Sequence, residues 1–282
     1  MRNPHRTQKI AFFLLLLATL LIVVPVGMIV VIIIQKGLPG ISWEFLSAMP
    51  RQGMRAGGIF PAIVGTLYLV SGAILFALPI GLLAAIYLSE YSKDNILTRI
   101  IRLAIVNLSG VPSVVYGLFG LALFVVFFKF GASILSGSLT LGIMILPVII
   151  TTSREALESV PDSFREVSLS LGASKWQTIR HIVLPNAIPG ILTGTILGLG
   201  RAAGETAPIL FTVAAFYLPR LPKSIFDQAM ALPYHLYVIS TQVPNVDEKI
   251  RYGTAFVLLA LVLCMNLVGI VIRTKFRKKK KW

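Results

Sequence analysis

Glu166-Val167-Ser168 is followed by three residues, Gly172, nine more residues and then Ile182-Val183-Leu184-Pro185, and the whole stretch sits between two long apolar runs. Ser163 and Glu166, just after Pro161-Asp162, have the S-x-x-E spacing of a capping box, and Ser174 with Gln177 repeats the device as S-x-x-Q. Gly172 lies between the two and can take the positive φ that ends a helix. The local chemistry therefore predicts two short helices with a bend at Gly172. Pro185 and Pro189 fall where the next apolar run begins, in positions where a missing N–H is tolerated. Such an elbow on a membrane face suits a partner's groove. The same capping signals also fit any cytoplasmic helical hairpin, and Glu166 could do no more than cap its own helix.

The rest of the chain places that elbow in a membrane protein. Of 282 residues, 56% are hydrophobic and 13% charged, and mean hydropathy is +0.85. A soluble domain of this size needs more charged surface. The net charge of +15 has no solvated domain to gather on, so it fits an anionic membrane surface and not a nucleic acid. Cys264 is the one cysteine; it forms no internal disulfide, and its apolar run predicts a small core residue.

About 20 apolar residues make a membrane-crossing helix. Ile10–Ile34, Pro61–Leu88, Leu103–Phe128, Phe130–Ser153, Ile188–Leu218 and Tyr252–Ile272 give six predicted spans. The first is too long for a signal-peptide core and lacks a small-x-small cleavage site after it. The Ser/Gly-rich start of the fourth looks like a turn. With the N-terminus inside, 17 of the 26 Lys and Arg fall on inner segments, seven of them in the tail from Arg273 to Lys281. Basic residues favour the cytoplasmic side, so both termini are expected there. The two long outer stretches are Gln35–Phe60 and Pro219–Arg251. The second predicts broken interfacial helices, with Phe226, Tyr234 and Tyr237 at the headgroup level.

Arg201 is the basic residue that falls inside a span, with Glu205 four positions later on the same predicted helix face. A charge at the bilayer centre costs roughly 2.5–3.5 kcal/mol on insertion scales, so it usually faces a cavity or a partner. Two readings stay open: a shallow anion site lining a pathway, and an ion pair locking the helix to its neighbour. Gly194-x3-Gly198 and Gly200-x3-Gly204 fit close helix packing. Ser113 and Tyr116 could bond an anion, but Pro112 favours a simple kink. His5, His181 and His235 have no metal-ligand spacing. No phosphate-binding G-x-x-x-x-G-K-[ST] run and no nucleophile elbow is present, so ATP would be hydrolysed elsewhere.

The quoted stretch matches the E-A-A–x3–G–x9–I–x–L–P loop of ABC-importer permeases at every anchor except the two small residues after the glutamate, where Val167 and Ser168 stand. The chain resembles the inner-membrane permeases of type I (MetI-like) ABC importers, and among them the A-type permeases of phosphate-specific transporters. Three segments carry the narrower resemblance: Leu108 to Leu118, the loop ending at Leu184-Pro185, and Gly200-Arg201-Ala202-Ala203-Gly204-Glu205-Thr206-Ala207-Pro208. It covers the chain from about Ile59 onward. The resemblance implies an all-α polytopic fold of about six transmembrane helices, the type I ABC importer permease fold. Residues 1–60 would form an N-terminal transmembrane helix and extracytoplasmic loop. Residues 61–282 would form the transmembrane domain, with a coupling loop at about 160–185. It also implies a non-catalytic subunit without cofactor, in the inner (plasma) membrane. Its expected partners are a second related permease (PstC-like), ATPase subunits (PstB-like), an extracytoplasmic phosphate-binding protein (PstS-like) and inorganic phosphate. Coupling to the ATPase would fall to Glu166, Gly172, Ala173, Ser174, Ile182, Leu184 and Pro185, and the substrate pathway to Arg201, Glu205 and Thr206. The rivals are a permease for another oxyanion (molybdate, sulfate or phosphonate), a stand-alone secondary carrier and a membrane-bound enzyme.

Overall fold

The computed structural model describes residues 4–278, and they form an all-α bundle with one two-stranded hairpin. Helix α1 (Pro4–Gly37) carries no charge from Ile10 to Ile34 and packs on α12 (Glu248–Lys278). The outer segment after it contains α2 (Trp43–Ser47), capped by the Ser42 hydroxyl, and the pair β1 (Pro50–Arg51) and β2 (Ala56–Gly57). Phe45 and Met54 from this segment are buried in the same apolar cluster as the central helices.

Those central helices are α3 (Phe60–Ile86) and α6 (Ile134–Glu158), which lie against each other along most of their lengths. Small residues allow it. Gly65, Leu69, Ala73, Ala77, Gly81 and Ala85 recur on one face of α3, all buried. A methyl at Gly81 would stand 2.8 Å from Ile149 Cγ2. Without a hydrophobic drive between helices in lipid, this close backbone approach is what dispersion and packing require. Helix α9 (Leu184–Gly204) lies on the other side of α6 by the same device, with Gly190 against Ala156 and Gly194 against Thr152.

Among the described residues five helices are long and apolar enough to cross a membrane, and a sixth span results if one bent pair is counted as one. That pair is the first correction. The predicted span Leu103–Phe128 is two helices, α4 (Ile96–Ser109) and α5 (Ser113–Gly120), the latter running on as a π-helical stretch to Phe127; they meet at 102°. Pro112 keeps Val111 out of the helical region and cannot donate a ladder bond. The bend is far sharper than a simple kink.

Three boundaries shift for local reasons. The predicted turn at the start of the fourth span is already helix from Ile134, because Ser133 caps it by accepting from Ser136 N–H at 3.2 Å. The fifth span begins earlier and ends sooner than Ile188–Leu218. It runs from α8 (Lys175–Thr178) through a π turn (Ile179–Val183) into α9 and stops at Gly204. A continuing helix would need a bond from residue 208 to the Gly204 carbonyl, and Pro208 has no N–H. A short helix, α10 (Ala207–Thr212), follows. In the last outer stretch, 219–231 is non-helical and α11 (Leu232–Thr241) is the one helix. Phe226 and Tyr237 are exposed, but Tyr234, expected beside them at the headgroup level, is buried in the core cluster. Cys264 is exposed, not a core residue, because α12 buries only Gly253, Thr254 and Val257.

Candidate functional site

Residues 162–183 form the predicted elbow. Helix α7 (Asp162–Ser170) ends in a Schellman arrangement: Gly172 N–H reaches the Leu169 carbonyl (2.9 Å) and Ala173 N–H reaches the Ser168 carbonyl (3.2 Å). Gly172 has φ +84°, as that geometry requires, with open space where a side chain would start. The Ser174/Gln177 capping box is complete. The Ser163/Glu166 box does not form. Helix α7 starts two residues earlier, with Pro161 in place of Ser163 at the cap, so Ser163 lies inside the first turn. Glu166 is therefore not a cap. It stands exposed on α7.

Val167 and Ser168, the departures from small residues, take different places. Val167 joins Leu169, Leu171 and Trp176 as exposed apolar groups, Leu171 being 83% exposed. Ser168 turns inward, and its hydroxyl pairs with the buried Thr178 hydroxyl at 2.8 Å, tying α7 to α8. Ile182 and Leu184 are half-buried and Pro185 is exposed. Beneath the elbow a second apolar cluster gathers Ala85, Ile86, Leu157, Val160, Ile179 and Val183 from α3, α6, the turn after α6 and the π turn. The elbow thus has a firm base and an apolar, solvent-facing crown, the pattern of a docking surface. His181 stays a surface residue, its Nδ1 3.1 Å from the Gln177 carbonyl.

The second group lies about 26 Å further along α9, by the rise of its helix from Leu184 to Arg201. Gly198 stands beside Ile145 and Ile149, near the midpoint of α6, and Arg201 is one turn outward. Arg201 is therefore at mid-depth of the bundle. Glu205 is not on the same helix face. It sits past the helix end in extended conformation (ψ 137°) and approaches Arg201 across the break, Oε1 to Nε 3.6 Å. Both side chains are partly exposed, 32% for Arg201 and 18% for Glu205. Among the described residues no hydrogen bond to the terminal guanidinium nitrogens is present, and the side chain is partly exposed. Thr206 is half-buried at the start of α10.

The two other segments that carry the narrow resemblance meet here. Helix α10 packs on α5, with Gly117 so close to Ala207 and Pro208 that a methyl would lie 3.0 Å from the Ala207 carbonyl. Tyr116 donates to the Leu108 carbonyl at 2.7 Å, closing the bend. Its hydroxyl holds the bend and is not left for an anion. Gly194 and Gly198 pack on α6 as expected; Gly200 faces Asn266 of α12, and Gly204 packs against nothing. A cavity of about 590 Å³ between α3, α6 and residues 222–225 does not include Arg201 or Glu205.

Sequence reasoning missed the polar clasp behind the elbow. Arg165 binds Glu90, and Arg102 and Lys175 approach the same end of α3. As isolated residues they signal only cytoplasmic charge. Glu90 has no local signature, since its partner is 75 positions away.

Residues 77–282 match the model of the binding-protein-dependent transport system inner membrane component family. The probable ABC transporter permease protein YqgI of Bacillus subtilis (strain 168) is 35% identical over 268 residues, 90% of each chain. The phosphate transport system permease protein PstA 1 of Mycobacterium tuberculosis (strain ATCC 25618 / H37Rv) is 36% identical over 227 residues, 80% of this chain and 73% of that one. Among solved structures, a bacterial alginate ABC transporter in complex with its pentasaccharide-bound periplasmic protein aligns at TM-score 0.66 and 16% identity, covering 94% of this chain and 93% of that one. The MetNI methionine ABC transporter in an inward-facing conformation aligns at 0.61 and 16%, covering 77% and 97%.

Proposed function

The chain belongs to the binding-protein-dependent transport system inner membrane component family, and we propose from that premise that it forms half of the translocation pathway of an ATP-driven phosphate importer. It is a multi-pass permease of the ABC-importer fold. The observation that carries the substrate reading is the break in the fifth span. It leaves the Arg201 guanidinium at mid-depth with its terminal nitrogens unengaged and a carboxylate 3.6 Å from Nε. A planar fork binds a tetrahedral oxyanion through two parallel hydrogen bonds. One such group beside a carboxylate favours entry without trapping the ion. The names of relatives such as the mycobacterial PstA proteins support phosphate among oxyanions.

ATP hydrolysis belongs, in this reading, to PstB-like subunits docked on the apolar crown of the elbow. A PstC-like permease supplies the other half of the pathway, and a PstS-like protein delivers phosphate from outside. The exposed crown on Val167, Leu171 and Trp176 supports a cytoplasmic partner and tells against a carrier working alone. The test is uptake of labelled phosphate into proteoliposomes holding the chain with these partners. We expect accumulation only with ATP and all partners present. Uptake by the chain alone, or ATP-driven accumulation of sulfate or molybdate in place of phosphate, overturns the reading.

The elbow must then face the cytoplasm, with both termini on that side, residues 1–60 as an N-terminal helix and outer loop, and 61–282 as the transmembrane domain. Reporter fusions after Arg277 and within residues 41–58 are expected to give opposite signals. Equal signals overturn this orientation.

A further inference from the structure

We propose that Arg165 and Glu90 are a pair of positioning residues that lock the elbow to the end of α3, so that α3 receives the elbow's motion together with α6 and α9. This rests on the ATP-coupled reading for its role in transport, but the lock itself is geometric. The side chains are 17% and 7% exposed, whereas the carboxylates of the neighbouring pairs, Glu158 and Asp162, are 44% and 88% exposed. Arg165 Nη2 and Nε reach Glu90 Oε1 at 2.8 and 3.2 Å. Its remaining donors reach the Leu157 carbonyl (2.9 Å), the Val160 carbonyl (2.6 Å) and Asp162 Oδ1 (3.1 Å). The two carbonyls belong to the end of α6 and the turn after it, where the last helical carbonyls have no partner within the helix. One guanidinium therefore holds α7, the end of α6 and the end of α3 in one geometry. Rotating α7 against either neighbour would strand a buried charge, which is strongly unfavourable.

The end of α3 is built to be held. The five residues that continue it, Tyr87–Tyr91, widen into a π turn closed by Ser92 N–H to the Tyr87 carbonyl at 2.8 Å. Such turns insert a residue and are frequent at functional positions. Arg102 of α4 donates to the Leu88 carbonyl at 3.1 Å, and Lys175 Nζ of α8 lies 5.0 Å from the Tyr91 ring centre. Cations from α4, α7 and α8 thus converge on one turn. Because α3 packs along α6 down the centre of the bundle, a displacement at this turn travels along a rigid, small-residue interface.

The experiment compares the parent complex with Glu90→Gln, Arg165→Met and the double variant, which strands no charge. Spin labels at Ser163→Cys and Lys93→Cys, in a Cys264→Ser background, report the distance between α7 and the segment after the π turn. We expect a narrow distribution in the parent that persists when nucleotide is trapped, and a broad one in all three variants. Phosphate moved per ATP hydrolysed should fall about tenfold in each, the double included, while the complexes stay assembled. A merely structural pair predicts parallel loss of assembly and both activities in the single variants, with recovery in the double; that pattern overturns the proposal, as does a narrow distribution in the double variant. If the parent complex fails to import phosphate on ATP, the functional reading falls, and the label distances still decide the lock.

Discussion

Arg201→Gln should reduce phosphate uptake by the reconstituted transporter about 100-fold without loss of assembly. That factor corresponds to losing about 2.7 kcal/mol, within the range for hydrogen bonds to a charged group. Dehydrating phosphate in a low-dielectric pathway is expensive, and a guanidinium at mid-depth offsets part of that cost. Glutamine keeps a polar amide but is shorter and loses the charge and the fork. Glu205→Gln should act differently. The carboxylate lies past the end of α9, where the helix dipole already disfavours a negative charge. Removing it frees Arg201 to bind more tightly, so uptake should fall less, with slower release. If the two residues serve only as an ion pair, both single changes lower thermal stability and the neutral double change restores uptake. A double variant that transports as well as the parent would show Arg201 to be structural.

Much of this architecture is legible in the chain because each signal is local. Charge-free runs of sufficient length mark the spans. Gly172 and the Ser174/Gln177 pair mark the bend, since a positive φ and a reciprocal cap each depend on a few neighbouring residues. The recurrence of Gly65, Leu69, Ala73, Ala77, Gly81 and Ala85 every fourth residue is equally local, but a reading by hydropathy passes over it, and the structure shows it as the central interface. Local spacing misleads where two registers compete. Ser163 has a cap's spacing, yet Pro161 with its fixed φ starts the helix two residues sooner. Hydropathy also hides breaks. The run from Ile188 to Leu218 stays apolar across Glu205-Thr206, and only the missing N–H of Pro208 records the stop. What could not be seen is the pairing of distant charges. Arg165, Arg102 and Lys175 look like topology markers until folding brings all three to the turn that carries Glu90.

Gly172→Val should uncouple the elbow, lowering phosphate moved per ATP hydrolysed by about tenfold while the protein inserts normally. The site is open, so no collision follows from the added side chain. The cost is in the backbone. At φ +84° a β-branched residue is strained by about 1–3 kcal/mol. Relief comes from returning to negative φ, which breaks the bonds from Gly172 and Ala173 to the Leu169 and Ser168 carbonyls. The chain then leaves α7 in another direction. Helix α8, with Trp176 and the Lys175 contact to Tyr91, shifts relative to the crown formed by Val167 and Leu171. An ATPase groove shaped for the bent elbow would meet a different surface. Asparagine tolerates the left-handed region, so Gly172→Asn should keep most of the coupling. Uptake and ATPase rates for the two variants separate backbone from bulk. Parent-like coupling in Gly172→Val would remove the elbow from the coupling path. Equal losses in Val and Asn would mean that the ATPase needs a bare backbone at this point, and that the left-handed turn is not the deciding feature.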